Sequence, residues 1–258
     1  MKIKFILYYR FLCLILALGY WSYQFTLTNY DNFGIQFRFL TIWGLSAALT
    51  STILLFINSL KGREEKFFAI VSATAVLNAM VVFLYWKLYF IDPSLVNYSG
   101  SITWIQEYYL HAVGPILLIF DSLFINNSFR QILKGILTAL SICILYILWS
   151  ELITGPLNST PSGKVTMGLP YPFLNDMFLK ERIIFYLTTI LTGLLFYMVG
   201  WTFYYLKSKI TQNIGVSIAR TFDPWSCVCC LRRFCTASHC GAGCALCQNI
   251  SGWVSFGS

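Results

Sequence analysis

Residues Glu107–Phe124 read EYYLHAVGPILLIFDSLF, and this stretch decides the fold class. It is apolar and close to the roughly 20 residues that a helix needs to cross a bilayer. Yet it holds His111, the only histidine outside the C-terminal tail, with Glu107 and Asp121 on either side. At the helical period Glu107, His111, Gly114, Pro115, Leu118 and Asp121/Ser122 share one face. Titratable groups are costly in hydrocarbon, so this face is expected to meet protein or a water-filled cavity.

The composition around it agrees. Of 258 residues 57% are hydrophobic and 11% charged, about half the charge of a soluble domain. Apolar runs are expected as helices at about Phe5–Phe25, Phe39–Ile57, Phe67–Phe90, Glu107–Phe124, Ile132–Ile153 and Ile183–Leu206. They are continuous, whereas barrel strands alternate over roughly ten residues. The fold class expected is therefore all-α: a polytopic membrane protein of six helices in one bundle over residues 1–207. No small-x-small site follows the first run, so it reads as a retained helix rather than a signal peptide.

The net charge of +8 raises nucleic acid as a partner, but the basic residues sit between spans and lack aromatic interleaving. They read as topology signals. With the N-terminus inside, one side holds Lys2, Lys4, Arg10, Lys61, Arg63, Lys66, Arg130, Lys134, Lys207, Lys209, Arg220, Arg232 and Arg233. The other holds Arg38, Lys87, Lys164, Lys180 and Arg182. That bias puts both termini in the cytoplasm.

The same topology runs spans two and four from the outer face inwards. Thr41, in the first turn of span two, and His111 then stand at similar depth. A small and polar stripe on span two, Thr41, Gly44, Ala48 and Ser51/Thr52, favours close approach to span four. An imidazole beside a threonine hydroxyl can take its proton as the hydroxyl attacks a carbonyl. N–H groups at the start of span two can face a developing oxyanion. At bilayer depth the substrate is expected to be a lipid ester, and the chemistry calls for no metal or organic cofactor.

Two carboxylates can orient His111: Glu107, one turn away, and Glu151, at the outer end of span five. Asp121 lies roughly 15 Å along the axis from His111, and is expected to pair with Arg130 or Lys134. Tyr171 and Phe173, in the long Thr154–Arg182 loop, are candidates for a lid. The plain reading of Thr41 is a helix N-cap. The rival function is a proton-coupled transporter or small-ligand binder using the Glu107–His111–Asp121 stripe.

Four motifs in register carry a resemblance: Arg38-Phe39-Leu40-Thr41, His111 opening HAVGPILLIFD, Tyr171-Pro172-Phe173-Leu174, and Arg182-Ile183-Ile184-Phe185. Over about residues 1–207 the chain resembles the androgen-induced-protein family of multi-pass membrane threonine hydrolases. The resemblance implies that Thr41 and His111 are the catalytic pair. It also implies cleavage of lipid esters such as fatty acid esters of hydroxy fatty acids.

Residues 208–258 form a cysteine-rich cytoplasmic extension with no counterpart in that pattern. Seven cysteines lie between Cys227 and Cys247. This tail reads first as an unstructured or S-acylated segment. Its second reading is a zinc site from Cys240, Cys244 and Cys247 with His239.

Overall fold

From Val71 to Val81 the third span offers small and apolar residues with no charged face, and its few polar groups are short. A helix built this way can be surrounded on all sides. In the computed structural model it becomes the centre of the bundle, with Val71 to Asn78 buried without a break. The structure describes residues 2–27, 30, 32–62, 66–96, 104–158 and 168–221, and among them there is no strand.

Six helices are long and apolar enough to cross a membrane. They are Lys2–Thr26, Leu40–Leu60, Phe68–Ile91, Trp104–Ile125, Ile132–Asn158 and Leu179–Thr221. The protein is thus an all-α, multi-pass membrane protein. Contacts divide the chain into Met1–Lys207 and Ser208–Ser258, and all that follows concerns the first unit. The cysteine tail, with Cys240, Cys244, Cys247 and His239, lies outside the described residues.

Helices run past the ends that apolarity alone marks, because backbone hydrogen bonding continues where side chains turn polar. The fifth ends at Asn158 rather than Ile153, and the sixth begins at Leu179 rather than Ile183. The expected loop between them is accordingly shorter, and it contains a helical turn at Pro172–Asp176. Asn158 closes the fifth helix by donating to the Thr154 carbonyl at 2.7 Å, while its side chain also bonds both backbone groups of Phe33.

The small stripe on span two divides between two neighbours, where approach to span four alone is the expectation. Asn78 of span three donates to the Gly44 carbonyl at 3.2 Å, and Ser51 donates to Thr74 at 3.0 Å. Leu45, between them, packs with Tyr109 and Leu110 of span four. At 100° per residue, positions 44 and 51 share one side, and 41, 45, 48 and 52 the next.

Spans one and four are joined by charge. Arg10 donates to both oxygens of Asp121, Nε to Oδ2 and Nη2 to Oδ1, each at 2.8 Å. Its Nη1 donates to Ser59 of span two, also at 2.8 Å. This corrects the expected partner of Asp121: Arg130 and Lys134 follow it in sequence, but Arg10 stands opposite it inside the bundle. Arg130 lies over the Phe68 ring instead, 4.9 Å from its centroid.

Candidate active site

Among the described residues, two spans carry wide π-turns at titratable residues. Span four has two, Tyr109–Val113 around His111 and Asp121–Ile125 at Asp121. Span five has one, Trp149–Thr154 around Glu151. Such turns insert a residue into the helical ladder and recur at functional sites. Between Tyr109 and Val113 the effect is local: His111, Pro115, Leu118, Asp121 and Ser122 are all buried.

His111 is held on three sides. Its Nε2 is 3.4 Å from Glu107 Oε2. Its ring lies on that of Tyr85, with centroids 3.6 Å apart and planes 5° from parallel. Its carbonyl accepts the Trp86 indole N–H at 2.8 Å. The Tyr85 hydroxyl also reaches Glu107, so ring and carboxylate are tied to each other as well as to the imidazole. With Nε2 turned to Glu107, Nδ1 is buried and has no partner among the described residues. That arrangement suits a neutral imidazole with its proton on Nε2 and its lone pair on Nδ1.

Thr41 belongs to the opposite wall. Phe39 is extended and caps span two, so Leu40 and Thr41 open the helix with N–H groups that lack carbonyl partners. The Tyr171 oxygen accepts the Leu40 N–H at 3.0 Å. It also lies within hydrogen-bonding reach of Thr41, through both backbone and hydroxyl, and of Tyr146. Burial raises the Tyr171 phenol above its ordinary range. Tyr171 therefore caps span two, and the N–H groups expected to face an oxyanion are already engaged by it.

The turn that carries Tyr171 is fastened down. Asn175 bonds both backbone groups of Leu169, at 3.0 and 3.1 Å, and donates to the Tyr171 carbonyl at 3.3 Å. Phe173 stacks beside Tyr171 at 5.8 Å and meets Phe185 edge-on at 5.3 Å. These aromatic residues form a wall anchored to spans two and six.

Both walls line one cavity of about 990 Å³. Thr41, Glu107, His111, Tyr171 and Phe173 all face it, beside apolar groups such as Val81, Leu84 and Leu110. Glu151 does not line it. Its carboxylate instead takes Arg182 Nε at 3.0 Å and the Tyr186 hydroxyl at 2.6 Å. Of the two candidate carboxylates, Glu107 is the one in contact with His111. Asp121 is likewise committed, to Arg10, so the Glu107–His111–Asp121 stripe is split between the Glu107–His111 contact and the separate Arg10–Asp121 ion pair.

A model described as FAR-17a/AIG1-like protein matches residues 4–205. The chain belongs to that family. In this FAR-17a/AIG1-like chain the match reaches into all six membrane helices and ends before the cysteine-rich extension. Family membership bears out the resemblance carried by the four sequence motifs. No curated protein and no solved structure matches the chain significantly.

Sequence reasoning missed Tyr85, Tyr146 and Arg38, which also line the cavity. The two tyrosines are lost among the 16 of this chain, most of them readable as interfacial or packing residues. Arg38 did carry a signal: it lies on the side poorer in basic residues.

Proposed function

We propose that this membrane protein hydrolyses lipid esters, with Thr41 as nucleophile and His111 as general base. One observation carries the reading: Thr41 and a buried, carboxylate-paired histidine line the same largely apolar cavity. In the reaction Thr41 Oγ1 attacks the ester carbonyl carbon and its proton passes to His111. The tetrahedral intermediate collapses to an acyl-threonine, and His111 returns that proton to the departing alkoxide. Water then attacks the acyl-threonine, losing a proton to His111. Collapse releases the carboxylic acid and restores the Thr41 hydroxyl.

Glu107 orients the imidazole and favours the cation that forms on it. Tyr171 stands at the attacking hydroxyl, and its phenol is suited to donate to the developing oxyanion once substrate displaces it from the helix terminus. The partners are membrane lipid and the ester drawn from it. The stripe reading as a proton path is disfavoured by the Arg10–Asp121 pair, which holds the inner carboxylate in a bidentate bond.

Labelling of purified protein with a lipid-like fluorophosphonate tests the proposal. Wild type is expected to label, Thr41→Ala to lose the label, and His111→Ala to react far more slowly. Equal labelling of all three folded proteins, or none in wild type, overturns it.

A further inference from the structure

A second, smaller cavity lies on the inner side of Thr41, between spans one to four. Its volume is about 20 Å³, room for one water molecule. Thr41, Val81 and Leu110 line both this cavity and the larger one of about 990 Å³, so the two adjoin at Thr41.

The wall of the small cavity carries two acceptors that the fold leaves without donors. Asn78 is buried at 5% exposure, and its amide nitrogen donates to the carbonyls of Gly44 at 3.2 Å and Thr74 at 2.9 Å. Its Oδ1 receives no hydrogen bond among the described residues and faces span two, 3.7 Å from where a Cβ on Gly44 would stand. The second acceptor is the Leu110 carbonyl. Its donor would be the N–H of residue 114 in an α-turn and of residue 115 in a π-turn. Gly114 is turned to the Tyr109 carbonyl, and Pro115 has no N–H. Both acceptors stand at one depth, since Asn78 bonds Gly44 while the next residue, Leu45, packs on Leu110. Buried acceptors left unpaired are costly, and small cavities with polar walls hold water where apolar ones stay dry.

We infer that this cavity binds one water molecule, which donates to Asn78 Oδ1 and to the Leu110 carbonyl, and that this is the water that hydrolyses the acyl-threonine. The catalytic half of the inference rests on the hydrolase reading; the binding site does not. An acyl chain carried on Thr41 fills the largely apolar main cavity and excludes solvent from that side. The small cavity supplies water from the other. The water oxygen bonds the acyl carbonyl carbon while one of its protons passes to His111. The tetrahedral intermediate then breaks its bond to Thr41 Oγ1, which takes that proton back.

Two measurements on full-length protein test this. A crystal structure grown from a lipid mesophase, at water-resolving resolution, is expected to show ordered solvent within hydrogen-bonding distance of Asn78 Oδ1 and the Leu110 carbonyl. An empty cavity, or lipid density within it, overturns the inference.

The second measurement separates acylation from deacylation, using an ester with a chromogenic alcohol. Ala48 lines the small cavity, and its side chain leans toward the preceding turn, where Gly44 lies. Ala48→Val therefore puts methyl groups where the water stands. The burst of alcohol should stay within about two-fold of wild type, while steady turnover falls about 30-fold and acyl-Thr41 accumulates as a mass adduct. A merely structural defect lowers burst and turnover together; that result, or unchanged turnover, removes the water's role and leaves the hydrolase standing. If the variant does not fold, wild type decides in the presence of methanol. Free acid as the main product fits attack by a water held in a site for one molecule, whereas methyl ester in proportion to the methanol overturns the role. Where wild type shows neither burst nor turnover, the hydrolase reading fails and takes the catalytic role with it, while ordered water in the crystal keeps the binding site.

Discussion

His111 Nε2 stands 3.4 Å from the carboxylate of Glu107, one helical turn before it in the same span. The pair is local in sequence, but Tyr85 of another helix completes it by stacking on the imidazole and bonding the carboxylate. Glu107→Gln keeps the shape and removes the charge. It is expected to lower kcat on the order of 10²-fold, with KM changed by less than about 3-fold. Steady-state kinetics on a lipid ester checks this; an unchanged kcat would remove Glu107 from the site.

Tyr171 offers a pH dependence with a definite sign. Burial raises its pKa, so the folded chain holds the phenolic proton more tightly than the unfolded chain. The stabilisation is complete below the unfolded value of about 10 and is lost as pH climbs above it. Thermal unfolding in detergent should therefore show Tm falling on the alkaline side, and falling less steeply in Tyr171→Phe. At neutral pH the same variant loses the acceptor for the Leu40 N–H and should cost about 1–2 kcal/mol.

The Arg10–Asp121 pair is read as structural. Asp121→Ala leaves a buried guanidinium without its carboxylate, which should cost about 3–5 kcal/mol. The double variant Arg10→Met/Asp121→Leu should recover most of that stability, and its folded fraction should react with the fluorophosphonate as wild type does. Loss of labelling in a well-folded double variant would instead tie Asp121 to the chemistry.

Close packing at the centre can be tested by glycine. A Cβ at Gly135 would overlap the Tyr197 hydroxyl, which bonds Ser72 at 3.0 Å. One at Gly193 meets only the Met80 side chain, at 3.6 Å. Gly135→Ala should thus destabilise by about 1–3 kcal/mol, while Gly193→Ala stays within about 0.5 kcal/mol or gains slightly. Fluorescence-detected gel filtration after heating would rank the two; equal Tm values would contradict this packing.

Much of this was decided along the chain itself. Bilayer-length apolar runs dictate helices, because in lipid the backbone has no other way to satisfy its polar groups. The same logic marks His111 and Glu107 as a face that must be shielded, and their i, i+4 spacing places them together. Thr41 at the head of span two was legible for the same reason: one-dimensional spacing and topology set its depth.

What the linear pattern leaves open is which residues meet across helices, since that depends on how each helix is rotated and where π-turns shift it. Asp121 looked toward Arg130 and Lys134 by sequence proximity, yet the bundle gives it Arg10, 111 positions away. Glu151 and Glu107 were equivalent candidates until the fold bound Glu151 to Arg182 and Tyr186. Tyr171 became a cap on span two because a loop without periodicity is positioned only by what it packs against. Arg38 carried only the hint of its side of the membrane; its burial beside the cavity is set by the tertiary structure.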